Sequence, residues 1–190
     1  MTYPRIIGLY SSSPQAGKST IAKYLEDFDY HLVSFAEPLR EMPLPLLLNL
    51  GYSRAAAKQL LRYDKHLLIP ALGVTARHLL RTLGTEWGRD CVHPDIWLKT
   101  WRARADRLLL AGHNIVCDDL RFPNEAGLLA AYPQAALWRV HRDTAAPPSE
   151  HRSDGGLDDY SGFHAQIHNN RTVLDLYERI DGLLAAGHVH

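Results

Sequence analysis

Apolar positions along the chain form two kinds of stretch, short continuous runs and segments at helical spacing. Arg5 to Tyr10 (RIIGLY) is a short apolar run, β-branched at its start, and predicts a strand. Ser11 to Gly17 is a turn of small residues. Ile21, Tyr24 and Leu25 then mark a helix over 19–28. His31 to Ala36 (HLVSFA) predicts a second strand. A helix begins at Glu37, and Pro43 and Pro45 must break or kink it before Leu50. Ser53 to Leu68 reads as helix with Ser53 as its N-cap. Thr75 to Leu83 predicts a cleaner helix, capped by Thr75 and stopped by Gly84. Asp95 to Leu110 is built on Trp97, Leu98, Trp101, Ala105 and Leu108. Asn114 to Asp118 (NIVCD) is the third strand. Pro123 to Tyr132 is a helix with Pro123 near its first position and Glu125 in its first turn. Ala136 to His141 is a fourth strand, and Ala165 to His168 a short one before a last helix from Thr172 to about Ala186.

Strands alternating with helices imply an α/β fold with a mostly parallel central sheet flanked by helices. The chain has 190 residues, which suits one domain. The helical stretch between the second and third strands makes an unusually large crossover. Residues 143–162 are rich in Pro, Ser, Gly and Asp and read as a loop too long for an idle connection, so a functional lid or a disordered segment is expected there.

Composition narrows the function. Lys+Arg and Asp+Glu both number 21, so the net charge is zero. A non-specific duplex-binding protein would carry a basic surplus, so nucleic acid is not an expected partner. Of the 21 basic residues, 16 are Arg and 5 are Lys. Guanidinium forks suit phosphates and carboxylates, although a coding bias that also enriches Ala and Leu would produce the same count. Cys91 and Cys117 have no CxxC spacing, which suggests neither a zinc site nor a redox pair and fits a reducing cytoplasm. The first residues lack a signal-peptide layout, and the apolar stretch Leu44 to Leu50 is far short of the roughly 20 residues that span a bilayer. The expected location is therefore cytoplasmic, without a membrane. The ending Gly187-His188-Val189-His190 reads as a tail rather than a metal site. A homodimer is left open, because exposed and interface helix faces look alike in sequence.

Candidate chemistry begins at Ser12 to Ser19 (SSPQAGKS), between a predicted strand and a predicted helix. The phosphate-binding pattern G-x-x-x-x-G-K-[ST] is met at Gly17, Lys18 and Ser19, with Ser12 in place of the first Gly. Backbone N–H groups of such a loop converge at a helix N-terminus, where the dipole favours phosphate. Ser13, Gln15, Ala16, Gly17, Lys18, Ser19 and Thr20 form the expected ATP-binding loop. Lys18 would reach the β- and γ-phosphates and Ser19 would ligate Mg²⁺. The second metal ligand should be a carboxylate at the end of another strand, and Asp118 is favoured over Asp119.

On the acceptor side, Arg77 and Arg81 stand four apart on one helix face, opposite Leu79, Leu80 and Leu83. That pair suits a bound anion or a solvated face. Arg89 could join the same site. Arg121 follows the third strand's C-terminal end, where open α/β sheets bind ligands. Arg102, Arg104 and Arg107 read as a solvated face. Arg139, Arg142 and Arg152 flank or occupy the long loop and would come with it if it closed over phosphates.

These motifs together resemble the deoxynucleoside monophosphate kinases of tailed bacteriophages, within the P-loop nucleotide kinases. The likeness is carried by SSPQAGKS, by Ser34 to Arg40 (SFAEPLR), by the L-G-T-E-x-G-R core within Arg77 to Arg89, by Asp118 to Glu125 (DDLRFPNE), by the His151-Arg152-Ser153-Asp154 element and by Ile167 to Leu176 (IHNNRTVLDL). The resemblance implies a P-loop kinase-like three-layer fold with a helical monophosphate-binding region over 37–113 and a lid over 143–162. It implies transfer of the ATP γ-phosphate to a deoxynucleoside 5′-monophosphate in the presence of Mg²⁺, in a host cytoplasm if the gene is viral. Lys18, Asp118 and Arg121 would be catalytic. Arg40, Arg77, Thr85, Glu86, Arg89 and Arg121 would contact the acceptor, and Phe35 and Trp97 would stack on its base. Asn169, Asn170 and Thr172 would lie near the donor's adenosine, with Arg142 on the ATP side. Arg81 stands where the family suggests a neutral amide. Rival readings are a P-loop kinase with another acceptor, such as a hydroxymethylated base in DNA or a dephospho-coenzyme A-like molecule, and a non-catalytic ATP-binding module.

Overall fold

Every residue of strand β1 (Ile6–Tyr10) is buried, as a strand must be when both faces of its sheet are covered. A computed structural model describes residues 3–143 and 156–187. The expected lid therefore lies partly outside the described residues, and so do His151, Arg152 and the His188–His190 ending. The chain divides into two compact units, one of 1–34 with 101–190 and one of 35–100.

The first unit is built on a five-stranded parallel sheet. Its strands are β1, β2 (Tyr30–Leu32), β5 (Asn114–Leu120), β6 (Ala135–His141) and β7 (Ala165–His168), in the order β2-β5-β1-β6-β7. Helix α1 (Lys18–Glu26) follows β1, α7 (Pro123–Ala130) joins β5 to β6, and α8 (Val173–Ala186) follows β7. Alternation along β1 sorts the faces. Ile7 and Leu9 join Val116, Trp138, Ile167 and the inner positions of α1 and α8 (Ile21, Leu25, Ile180, Leu184) in one core cluster. Gly8 points the other way, where a Cβ would meet Leu129 Cδ2 of α7 at 2.6 Å and Leu137 Cδ2 at 2.8 Å. Helices thus cover both faces, giving the expected three-layer, P-loop kinase-like α/β fold. Burying each of these aliphatic side chains contributes about 1.5–3 kcal/mol before chain entropy is subtracted.

The second unit is smaller and built of short pieces. It holds α2 (Glu37–Glu41), α3 (Leu44–Asn49), α4 (Arg54–Arg62), a hairpin of β3 (Leu68–Ile69) and β4 (Val74–Thr75), and α5 (Ala76–Thr82). Its core is Leu44, Leu47, Ala57, Leu60, Leu61, Ile69 and Ala76. The unit boundary falls inside α6 (Ile96–Leu110).

Several expected boundaries are corrected. The helix expected over 37–50 is two helices, parted at Met42 and Pro43, in line with the proline effect. The helix expected to reach Leu68 stops at Arg62, and a hairpin follows that no periodicity announced. The second strand ends at Leu32 rather than Ala36. Gly84 does not stop the helix begun by α5, which continues as a π-helical segment, Leu83–Val92. The reason lies in Trp97, whose indole N–H donates to Gly84 O at 2.8 Å. A Cβ on Gly88 would meet Trp97 Cζ2 at 2.5 Å and Leu83 O at 3.0 Å. Gly88 makes room for the buried indole, and a Cβ on Gly84 would press on Leu39 Cδ2 at 3.3 Å, so neither glycine terminates a helix.

Candidate phosphate-binding site

The loop after β1 is shaped by its own short side chains. Ser11 Oγ accepts from the Ser13 N–H at 3.2 Å and donates to Ser13 O at 3.1 Å, which folds 11–13 into a tight turn. Ser12, standing where a Gly is usual, keeps a negative φ. Among the described non-glycine residues only Gln15 (φ 60) and Asp29 (φ 62) are positive. Serine is therefore tolerated there without strain. Gly17 is different. It has φ 109 and caps α1, and a Cβ on it would run into Asn169 Nδ2. Only glycine meets both conditions.

Two residues from the far strands hold this loop. Asn169, buried just after β7, donates from Nδ2 to Ala16 O at 2.9 Å. Arg142, just after β6, donates from Nη1 to Gln15 O at 3.4 Å. The loop's amides are thus fixed at the N-terminal end of α1, where the dipole favours an anion. Lys18 and Ser19 open that helix, and Thr20 follows half-buried. The winding places the loop suitably. The chain lays β2 and β5 on one side of β1 and β6 and β7 on the other, and such reversals leave a ligand crevice at the strands' C-terminal ends.

Asp118 sits inside β5, which runs on to Leu120, and not at the strand's end as expected. Contacts decide between the two acids, because β5 carries an extra residue against β1 between Cys117 and Leu120. Ser19 Oγ donates to Asp118 Oδ2 at 3.3 Å, and Ser34 Oγ donates to Asp118 Oδ1 at 2.8 Å. Asp119 faces the other side, where Cys117 Sγ lies 3.4 Å from its Oδ1. Burial pushes the Cys117 thiol well above its ordinary value, so it stays protonated and unreactive. The Ser19 hydroxyl and the Asp118 carboxylate are a hard oxygen pair of the kind Mg²⁺ takes beside substrate phosphates. The residues present fit that ion.

Arg121 follows β5. Its backbone N–H and that of Phe122 donate to Glu125 Oε2 at 2.9 and 3.1 Å, so a buried carboxylate pins the turn that carries it. Gly156 packs on the same turn, where a Cβ would come within 2.6 Å of Arg121 O. The described part of the expected lid is anchored. Arg139 Nη2 pairs with Asp158 Oδ1 at 2.6 Å and Nη1 donates to Asp158 O at 2.8 Å, while Tyr10 OH donates to Asp158 Oδ1 at 3.0 Å. Phe163 stacks on Tyr10 at 5.5 Å between centroids. Burial first, then the bond to Asp158, push the Tyr10 phenol up to about 12. Arg139 is thus committed to a structural pair and not held ready to come with a closing loop.

In the second unit, Arg77 and Arg81 are exposed on α5, and Thr85 and Glu86 are exposed on the π-helical segment that also carries Arg89. Arg40 is half-buried on α2. Phe35 and Trp97 are both about 4% exposed, and the Trp97 indole is engaged by Gly84 and Gly88. As folded, these rings pack inside, and stacking on a base would require them to be uncovered. Ser34 and the loop-holding role of Asn169 escaped the sequence reading. Ser34 lies in the segment SFAEPLR, and nothing in the spacing along the chain shows that it stands beside Asp118.

No family model and no curated protein matches this chain. Among solved structures, it is similar to a proposed kinase from Chloroflexus aurantiacus, with 12% identity over 98% of this chain and 99% of that one and a TM-score of 0.47. It is also similar to TT1252 from Thermus thermophilus, with 16% identity over 97% and 98% and a TM-score of 0.47. The P-loop kinase-like architecture stands on the sheet order and the loop geometry themselves. No helix among the described residues is long and apolar enough to cross a membrane.

Proposed function

We propose that the protein is an ATP-dependent kinase that transfers the γ-phosphoryl group to a deoxynucleoside 5′-monophosphate. The observation that supports the reading is the hydrogen-bonded Ser19–Asp118–Ser34 chain at the N-terminal end of α1, next to Gly17 and Lys18. Ser19 and Asp118 would hold Mg²⁺, which when bound neutralises phosphate charge and orders the transferring group. Loop amides and Lys18 bind the donor phosphates. Ser34 fixes the orientation of the Asp118 carboxylate. The acceptor is already a phosphate anion, so no strong general base is needed, and catalysis is positioning and charge neutralisation. The choice of acceptor rests on the resemblance of the LGTEWGR and DDLRFPNE segments and on the exposed Arg77, Arg81, Thr85 and Glu86. A coupled ADP-release assay with MgATP against dAMP, dGMP, dCMP and dTMP tests it. Turnover with at least one establishes the acceptor class. ATP binding without turnover on any would move the reading to another acceptor or to an ATP-binding module.

A further inference from the structure

A second cluster of metal-binding side chains lies apart from the phosphate site. Asp29 sits immediately before β2, His31 is the middle residue of β2, and His113 immediately precedes β5. Their three ligand atoms lie within 4.8 Å of one another. His31 Nε2 and His113 Nδ1 stand 3.1 Å apart, with ring centroids at 4.2 Å. Two imidazole nitrogens this close share either a proton or a metal ion. Around a tetrahedral ion with bonds of about 2.0–2.1 Å, ligand atoms are separated by about 3.4 Å, close to the spacing already present.

The local charge supports a cation. Glu26, Asp27 and Asp29 crowd the C-terminal end of α1, the negative end of its dipole, where carboxylates are unfavourable and cations are favoured. Asp29 also takes a left-handed backbone (φ 62), a conformation that favours Gly or Asn, with its N–H donating to Glu26 O at 3.1 Å. An acid there gains from a bound cation what it loses to the helix end. On the other side, His31 lines a groove of about 330 Å³ with Arg104 and Arg107. These guanidiniums suit an anionic fourth ligand, such as hydroxide or chloride, in the position that three protein ligands leave open.

We infer that Asp29, His31 and His113 bind one divalent transition-metal ion of the zinc type, clipping the end of α1 and the edge strand β2 to the start of β5. Imidazole nitrogens select such ions over Mg²⁺. The site is also distant from Asp118, which lies five residues further along β5, about 17 Å at 3.3 Å per residue.

The test titrates the chelator-treated full chain with Co²⁺ in excess Mg²⁺, following visible absorption, with Zn²⁺ as competitor. One equivalent of Co²⁺ should bind and be displaced by Zn²⁺. His31→Ala and His113→Ala should each weaken binding at least tenfold. Asp29→Asn should weaken it less, and deletion of residues 188–190 should leave it unchanged. His31 and Asp29 are exposed and His113 is half-buried, so the variants should fold, and thermal unfolding without metal confirms this. His31→Gln serves as a companion if a variant's transition moves. Absence of saturable binding overturns the proposal and leaves a shared proton between the two rings. Binding that survives both histidine substitutions, or that is lost with residues 188–190, overturns it equally.

Discussion

The two units of this chain arrange functional side chains in opposite ways. In the parallel-sheet unit the polar groups of the candidate site are tied down. Asp118 is held by Ser19 and Ser34, Ala16 O by Asn169, and Gln15 O by Arg142. In the unit of 35–100 the candidate acceptor residues Arg77, Arg81, Thr85 and Glu86 are exposed, on short helices around a small core. On the proposed reading the donor is one chemical species, so a fixed set of oxygens and amides would serve it, and preorganisation would lower the cost of reaction.

The largest expected break falls on the donor side. Lys18→Ala should lower kcat by about 10²–10³-fold, the usual cost of removing one group that meets developing charge. Its far-UV circular dichroism and thermal transition should match the parent. Near-normal turnover would remove Lys18 from the donor site.

Gly88→Val breaks the other unit. The added side chain collides with the Trp97 ring and with Leu83 O. Such overpacking costs about 1–3 kcal/mol, to be read as a lower urea midpoint by tryptophan emission. The acceptor KM should rise while the ATP KM stays near the parent value. A parallel rise in both would contradict the division of labour.

Ser34→Ala sharpens the comparison. It removes the hydroxyl from Asp118 Oδ1 and leaves the ligand itself in place. A hydrogen bond to a charged group contributes about 1.5–3 kcal/mol, so kcat should fall about tenfold. The Mg²⁺ concentration for half-maximal rate should rise, and Ser34→Thr should restore part of it. An unchanged Mg²⁺ dependence would make Ser34 merely structural.

The smallest effect concerns pH. The Tyr10 phenol is raised to about 12 by burial and by Asp158. Its contribution to stability is therefore complete below the unfolded value near 10 and is lost as pH rises through about 12. Tyr10→Phe should lower Tm by a few degrees at neutral pH, and the gap to the parent should close between about pH 10 and 12. A gap that stays constant over that range would remove Tyr10 as its source.

Much of the sheet unit was legible because long apolar patterns dictate it. β1, α1, β6, β7 and α8 fall within a few residues of their expected bounds. The hairpin of β3 and β4 was not, since strands of two residues carry no periodicity. Gly84 misled for a physical reason. Glycine marks helix ends and also marks close approach, and only the position of Leu39, 3.3 Å from where a Gly84 Cβ would stand, separates the two. In the site, Gly17-Lys18-Ser19 was visible as a local motif. Ser34 against Asp118, Asn169 against Ala16, and His31 against His113 join residues 84, 153 and 82 positions apart, and no local pattern encodes such pairs.

On the proposed reading, the Lys18–Ser19–Asp118 site passes a phosphoryl group from ATP to a deoxynucleoside monophosphate. The direct measurement is phosphorus NMR of MgATP with each of dAMP, dGMP, dCMP and dTMP, for the parent chain and Lys18→Ala. ADP and a deoxynucleoside diphosphate should form in equal amounts with at least one acceptor, and about 10²–10³-fold more slowly in the variant. Bound MgATP with no diphosphate formed from any of the four would contradict it.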